Sequence, residues 1–286
     1  MLLKDIDYAA PADIGEACSL FKEAEDASYL AGGTDLLPQM RLGRRSCSLL
    51  VDLKRISGLG KITRGEGNDL SVGAAVSLAE IANCKEIREH YPVLAECCLT
   101  VGSYPLRNRA TMAGNICNGS PAADTSAALL ALDASVGTTG AKGERKIDIS
   151  DFFKGPGMTA LEKGELVKEI FLPKKSAGLS GKYLRLSRRK GVDLATVALL
   201  VGRHDGDNRG HRVCLIAVAP TPKRVLEAEA ILDSEGYGET GRRRAVEAAL
   251  DAASPIDDVR ASAGYRREMV SVLAAEGIDF LSGKES

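Results

Sequence analysis

The spacing of apolar residues divides the chain into elements. Between Pro11 and Ala24, the apolar positions Ile14, Ala17, Cys18, Leu20 and Phe21 fall on one helical face, and Pro11 suits helix entry. A short strand at 28–31 runs into Gly32-Gly33-Thr34-Asp35. An amphipathic stretch, LLPQMRLG, follows, and SLLVDL at 48–53 reads as a buried strand. LSVGAAV at 70–76 is a strand, Ser77 caps a helix over LAEIANC, and 92–101 is a longer helix. Residues 102–124 break the periodicity with small and polar residues, and such a stretch inside a compact domain is functional or disordered. Asp124 or Thr125 opens the helix TSAALLALDA, strands follow at 134–138 and 145–149, and ELVKEIFLP at 165–173 is a strand closed by proline. Beyond Pro173 the pattern changes. KKSAGLSG (174–181) reads as a linker, then come strands at 182–190, 193–202 and 212–219 and helices at 223–235, 239–253 and 260–277. Strands followed by helices are an α+β signature, with a boundary near 175.

Composition narrows the function. The chain has 286 residues, a net charge of −1, and 44% hydrophobic and 27% charged residues, which is globular and long enough for two domains or one with subdomains. The charge balance argues against a dedicated nucleic-acid binder. No apolar run approaches the ~20 residues of a membrane span. The N-terminus carries acids and an early proline where a signal peptide needs a basic start and an apolar core, so a cytoplasmic protein is expected. Seven cysteines, an odd count, argue against a disulfide framework, and Cys97-Cys98 on a helix suit burial. The three histidines have no partners at ligand spacing, and His204 and His211, flanking DGDNRG, read as solvated loop residues. No metal site and no catalytic histidine system is expected in this chain.

Glycine, at 30 residues, is the conspicuous number, because it marks positive φ or close approach to a ligand. LAGGTDLL (30–37) joins a strand to a helix, where backbone N–H groups hold anions such as a pyrophosphate. Taken alone it is a β–α turn with Asp35 as N-cap, because its glycines are adjacent and not in G-x-G-x-x-G spacing. RNRATMAGNICNGSPAAD (107–124) offers Thr111, Asn115, Asn118 and Ser120 as uncharged hydrogen-bonding groups, Gly114 and Gly119 as backbone openings, and Asp124 at a helix start. That inventory suits a flat heterocycle with polar edges. RLSRRK (185–190) reads as a solvated basic strand edge.

LAGGTDLLPQMR, VGSYPLRNRATMAGNICNGSPAADTSAALLALDA, GPGMTALEKGELVKEIFLP, YLRLSRRKGVDLA and VAPTPKR occur in this order. Together they resemble the FAD-binding subunits of the molybdenum hydroxylases, which include the medium subunit of carbon monoxide dehydrogenase and the FAD subunit of xanthine dehydrogenase. T-x-x-G-N followed by S-P-x-x-D is the most specific part. The resemblance spans essentially the whole chain. It implies an α+β fold: an FAD-binding domain of the vanillyl-alcohol-oxidase (PCMH) type over 1–174, in subdomains 1–54 and 55–174, and a C-terminal α+β domain of the carbon monoxide dehydrogenase flavoprotein type over 175–286, with a three-stranded sheet and helices.

The resemblance also implies roles. Leu30, Ala31, Gly32, Gly33, Thr34, Asp35, Leu36 and Leu37 wrap the FAD pyrophosphate. Val101 and Gly102 lie along the cofactor, followed by Thr111, Ala113, Gly114 and Asn115, with Asp124 near the adenosine or ribityl portion. Val167 stands beside the flavin ring, and Arg185 takes a place near it that is usually Lys. Ala113 departs from a family position that is often Gly, and no cysteine-bearing insertion suggests an extra iron–sulfur cluster. No catalytic residue and no metal ligand is assigned to this chain. The resemblance implies that substrate is oxidised in a large molybdopterin-binding subunit of a heterotrimer, that electrons cross [2Fe-2S] clusters of a small subunit, and that FAD here passes them to NAD+ or another acceptor. GNICN and APTP lean toward xanthine dehydrogenase. The alternatives are a carbon monoxide or aldehyde dehydrogenase medium subunit, or a standalone flavin reductase of the UDP-N-acetylmuramate type.

Overall fold

The structure, a computed structural model, describes residues 6–204 and 210–284. The N-terminal part is a small parallel sheet with helices. Strands β1 (Asp7–Ala9), β2 (Ala27–Leu30) and β3 (Leu49–Asp52) lie in the order β1-β3-β2, linked by α1 (Ile14–Glu23) and α2 (Leu36–Arg41). Helix α1 starts one residue after Asp13, whose carboxylate accepts the Glu16 N–H at 2.8 Å, while the Glu16 carboxylate accepts the Ala12 N–H at 2.8 Å. Strands β2 and β3 pair in parallel from Ala27↔Leu49 to Leu30↔Asp52. A parallel ladder needs a crossover, and its carboxyl end is where the first glycine segment emerges.

The middle part begins with β4 (Ile62–Arg64) and β5 (Leu70–Gly73). Helices α3 (Leu78–Asn83), α4 (Lys85–His90), α5 (Pro92–Thr100), α6 (Tyr104–Arg107), α7 (Met112–Cys117) and α8 (Asp124–Ala131) follow. Then come β6 (Ser135–Gly140), β7 (Gly143–Asp148), α9 (Ile149–Phe152), the small ladder β8 (Phe153–Gly155) with β9 (Met158–Thr159), and β10 (Leu166–Leu172). The sheet runs β4-β5-β10-β6-β7, antiparallel throughout. Ser77 caps α3 in a reciprocal capping box with Glu80. Cys97 and Cys98 are both fully buried, as adjacent apolar side chains in a helix packed on two sides. The expected loop over 102–124 instead holds two short helices, each opened by a hydroxyl. Ser103 accepts the Leu106 N–H, and Thr111 accepts the Gly114 N–H at 3.0 Å. At four and six residues they are too short to show a helical periodicity.

The C-terminal part is the sheet β11 (Leu179–Leu186), β12 (Val197–His204), β13 (Gly210–Ile216) and β14 (Lys223–Arg224), in that order, with α10 (Leu226–Glu235), α11 (Glu239–Ala252) and α12 (Ala263–Leu281). The expected three-stranded sheet thus gains a fourth, two-residue strand. It shortens the first expected helix, because Lys223 and Arg224 pair with Leu215 and Cys214. The expected linker is short: β11 begins at Leu179, so KKSAGLSG already enters the sheet.

Alternation along β12 and β13 divides two apolar clusters. Ala198, Leu200, Cys214 and Ile216 join the core under α5 and α8, whereas Val197, Leu199, Val201, Val213 and Leu215 join the core under α10 to α12. A sheet covered on both faces reads as a continuous apolar run, which explains DLATVALLVG. The two histidines are a correction. His204 and His211 are buried, His204 at the end of β12 and His211 on β13. The His211 ring lies between the Asp233 carboxylate, 2.6 Å from Nδ1, and the Tyr237 hydroxyl, 2.7 Å from Nε2. Most of the DGDNRG turn between them lies outside the described residues.

Candidate functional site

The two glycine segments meet at one cavity of about 640 Å³ between the N-terminal and middle parts, within the ~300–1,000 Å³ of small-molecule sites. At the end of β2 the chain turns through 31–35 into α2. Gly32 lies against the backbone of Arg109 and Ala110, so close that a Cβ there would overlap the Arg109 carbonyl. That glycine is therefore set by the contact between the two segments. Gly33 has a φ of +73°, and a Cβ there would press on Leu30 and Leu37. The N–H groups of Gly32, Gly33 and Thr34 have no acceptor among the described residues. Asp35 stands before α2 but its carboxylate makes no cap bond, contrary to the N-cap expectation. Partial loss of water around that carboxyl raises its pKa.

The second segment supplies the opposite wall. Thr111 and Ala113 are buried, and Gly114 lines the cavity: a Cβ there would meet only the Thr111 hydroxyl, at 3.1 Å, within 4 Å. The Asn115 side-chain oxygen accepts from Thr125 at 2.6 Å, which leaves its amide nitrogen to donate elsewhere. Gln39 reaches across from α2 to Asn118. Asp124, in the first turn of α8, is buried. It accepts the Tyr183 hydroxyl at 2.8 Å and the Arg185 Nε at 2.9 Å, both from β11. Burial pushes the Asp124 carboxyl up, and the Arg185 guanidinium offsets part of that rise. The third wall is Leu161 to Val167. Although burial opposes it, the bidentate Arg145 guanidinium, with the Thr138 hydroxyl, lowers the Glu165 pKa to about 2.

Of the residues assigned from the sequence, Leu30 to Leu36, Val101, Gly102, Thr111, Ala113, Gly114, Asn115, Asp124 and Val167 line this cavity. Leu37 and Arg185 do not. Leu37 packs into a small core with Leu30, Met40, Cys47 and Leu50. Arg185 is held behind the wall by Asp124, and its Nη2 donates to the Asp193 carbonyl. The basic run is not a solvated strand edge throughout. β11 ends at Leu186, and the following loop brings Arg189, Val192, Asp193 and Leu194 to the cavity, with Arg188 and Arg189 paired to Asp193. Gly191 and Asp193 carried the turn signal for that loop. Glu165 was also missed; its place two residues before Val167 was the available sign.

Residues 4–175 match the model of the FAD binding domain in molybdopterin dehydrogenase, and residues 182–279 match the CO dehydrogenase flavoprotein C-terminal domain. The chain belongs to the FAD-binding family of the molybdopterin dehydrogenases. It is 32% identical over 281 residues to the carbon monoxide dehydrogenase medium chain of Hydrogenophaga pseudoflava, covering 98% of each. It is 31% identical over 274 residues to the nicotine 6-hydroxylase medium subunit of Paenarthrobacter nicotinovorans, covering 96% of each. With the xanthine dehydrogenase FAD-binding subunit of Escherichia coli O157:H7 the identity is 28%, over 95% of this chain and 94% of the other. The solved carbon monoxide dehydrogenase of H. pseudoflava that lacks the Mo-pyranopterin moiety superposes with a TM-score of 0.92 at 32% identity, covering 100% of both chains. These identities do not single out xanthine dehydrogenase.

The cavity fits the FAD that the family binds. Unpaired N–H groups at Gly32 to Thr34 suit an anionic diphosphate, and Gly114 on the cavity lining admits a flat ring system against backbone. Among the described residues no group of three or more His, Cys, Asp or Glu is placed to hold a metal ion, and no helix is long and apolar enough to cross a membrane. In this FAD-binding oxidoreductase component the flavin supplies the redox chemistry when bound.

Proposed function

We propose that this chain is the electron-transfer flavoprotein subunit of a molybdenum hydroxylase complex. A large molybdopterin-binding subunit oxidises the substrate, and a small [2Fe-2S] subunit delivers electrons to FAD in this cavity. NAD+ or another acceptor removes them. The observation that carries the reading is the convergence of the two glycine segments, with the residues of the unpaired N–H groups of the first lining the same cavity as Gly114 of the second. On this reading Gly32 to Thr34 donate to the diphosphate, Asn115 and Thr111 fix polar edges of the cofactor, and Val101 and Val167 exclude water from its ring. Asp124, paired with Arg185 and hydrogen-bonded by Tyr183, holds the second segment at the wall. The chain's own groups bind and orient; none is placed as a general acid or base. We set the division between the FAD-binding and C-terminal parts near 175. The lean toward a purine substrate rests on GNICN and APTP; the relatives named for nicotine and carbon monoxide are the competing specificities.

Purification with its neighbours tests the proposal. The expected result is about one FAD per chain and co-purification with molybdenum- and iron-bearing subunits. The chain alone should turn over neither a purine nor carbon monoxide. A colourless chain, or an FAD-loaded chain that reduces a substrate without partners, overturns it.

A further inference from the structure

Behind the first glycine segment lies a polar cluster that the assigned cofactor residues do not include. The β2–β3 ladder ends at the pair Leu30↔Asp52, and Ala31 is the first residue beyond it. No strand is left to take its carbonyl. The Lys54 ammonium does so at 3.1 Å. The same ammonium donates to Asp52 Oδ1 at 2.6 Å, and the Lys54 backbone N–H donates to that oxygen at 2.9 Å. Asp52 Oδ2 accepts the Tyr8 hydroxyl from β1 at 2.6 Å. Asp52 is buried, so both its oxygens are committed and its position is fixed by β1 and β3. Lys54 is therefore held at its head by a rigid carboxylate, and it passes that rigidity to Ala31.

We propose that Lys54, anchored by Asp52 and Tyr8, is a positioning residue for FAD: it fixes the Ala31 carbonyl and so presents the N–H groups of Gly32, Gly33 and Thr34 to the diphosphate. The inference rests on the reading of this cavity as the FAD site. From Ala31 onward the segment is held by the Arg109–Ala110 backbone under Gly32 and by the Leu37 N–H on the Gly33 carbonyl, 3.1 Å away. Lys54 is the polar anchor at its entry. Its charge is balanced by Asp52, so the effect is one of geometry. Donors fixed before binding lose less freedom on binding.

The test is FAD affinity of the full chain, stripped of flavin and retitrated by flavin fluorescence. Lys54→Met should raise the FAD dissociation constant about tenfold. Lys54→Arg, which keeps a donor and a cation, should stay within about threefold of wild type. Tyr8→Phe, at an exposed position that tolerates change, should weaken binding about twofold to threefold. Lys61→Met, an exposed lysine with the same charge change, should leave it unaltered. A Lys54→Met affinity within twofold of wild type, a Lys54→Arg as weak as Lys54→Met, or an equal loss in Lys61→Met overturns the inference. Wild-type chain that binds no FAD overturns the reading of the site and this inference with it.

Discussion

The two glycine segments face each other across one cavity yet are held in different ways. The first is anchored from its own sheet, by Asp52 and Lys54 at the carboxyl end of β3 and by Tyr8 from β1. The second is held from the middle part, where the Leu78 N–H donates to the Ala110 carbonyl at 2.8 Å and the Gly157 N–H to the Gly119 carbonyl at 2.9 Å, and also from the C-terminal part. Tyr183 and Arg185 of β11 hold Asp124, and the Ala217 N–H donates to the Pro121 carbonyl at 2.8 Å. Ala217 has a φ of +66°, a left-handed conformation that costs a non-glycine residue about 1–3 kcal/mol. Its own carbonyl is held by the fully buried Arg266 of α12, which also bonds Asp258. The C-terminal part is thus built into the cavity wall, a role that a separate appended domain does not require. Breaking each support in turn asks whether the two walls are as independent as they look.

The largest effect is expected at Arg266. Arg266→Met leaves Asp258 without one partner and the Ala217 carbonyl without its donor. Asp258 keeps Arg260, so the cost is that of one lost charged hydrogen bond and an unpaired buried carbonyl, about 3 kcal/mol together. For a chain of this size that lowers Tm by about 10 °C. FAD affinity should fall as well, measured at a temperature where the variant is folded. Lowered Tm with wild-type affinity would show that the Ala217–Pro121 link does not shape the second wall.

A pair of glycine substitutions separates contact between the walls from contact with the ligand. Gly32→Ala drives a methyl into the Arg109 carbonyl, which is backbone and cannot swing aside, so about 1–3 kcal/mol of stability should be lost without ligand. Gly114→Ala meets only the Thr111 hydroxyl and occupies cavity space. Its stability without ligand should change by less than about 1 kcal/mol, since alanine also favours the helix. Its FAD affinity should nevertheless fall at least tenfold. Calorimetry of the stripped chains with flavin titration reads both, and equal behaviour of the two variants would erase the distinction.

The same contrast sets what the sequence could show. The first segment lies between a strand and a helix of ordinary pattern, so its place at a sheet end followed from periodicity. In the second, α6 and α7 are too short to show a helical periodicity, and resemblance brought out its motif. Support from distant residues was not legible. Nothing local in RLSRRK says that Arg185 turns inward to Asp124 while Arg188 pairs with Asp193. The Arg185–Asp124 pairing arises from β11 meeting the start of α8, a tertiary fact, whereas the Arg188–Asp193 pair is closed within the loop after β11. His211 failed for the same reason, because a loop-like neighbourhood hid Asp233 on α10 and Tyr237 just beyond it.

The smallest effect belongs to the third wall and concerns pH. Glu165 accepts from Arg145, Thr138 and the Glu162 N–H, and its pKa lies at about 2. An unfolded glutamate titrates near about 4.3. A carboxyl depressed on folding adds stability that is fully present above the unfolded pKa and fades as pH falls toward the folded one. Arg145 is two-fifths exposed, so solvent screens the pair and the gain is modest. Glu165→Gln should therefore lower Tm by about 2–4 °C at pH 7. The gap should narrow between pH 4.3 and pH 2, where the wild type loses what the variant never had. Thermal melts of both chains from pH 7 down to pH 3 measure it. A gap that stays constant over that range would mean that the carboxylate charge is not what holds this wall, and that the amide replaces it only imperfectly in shape.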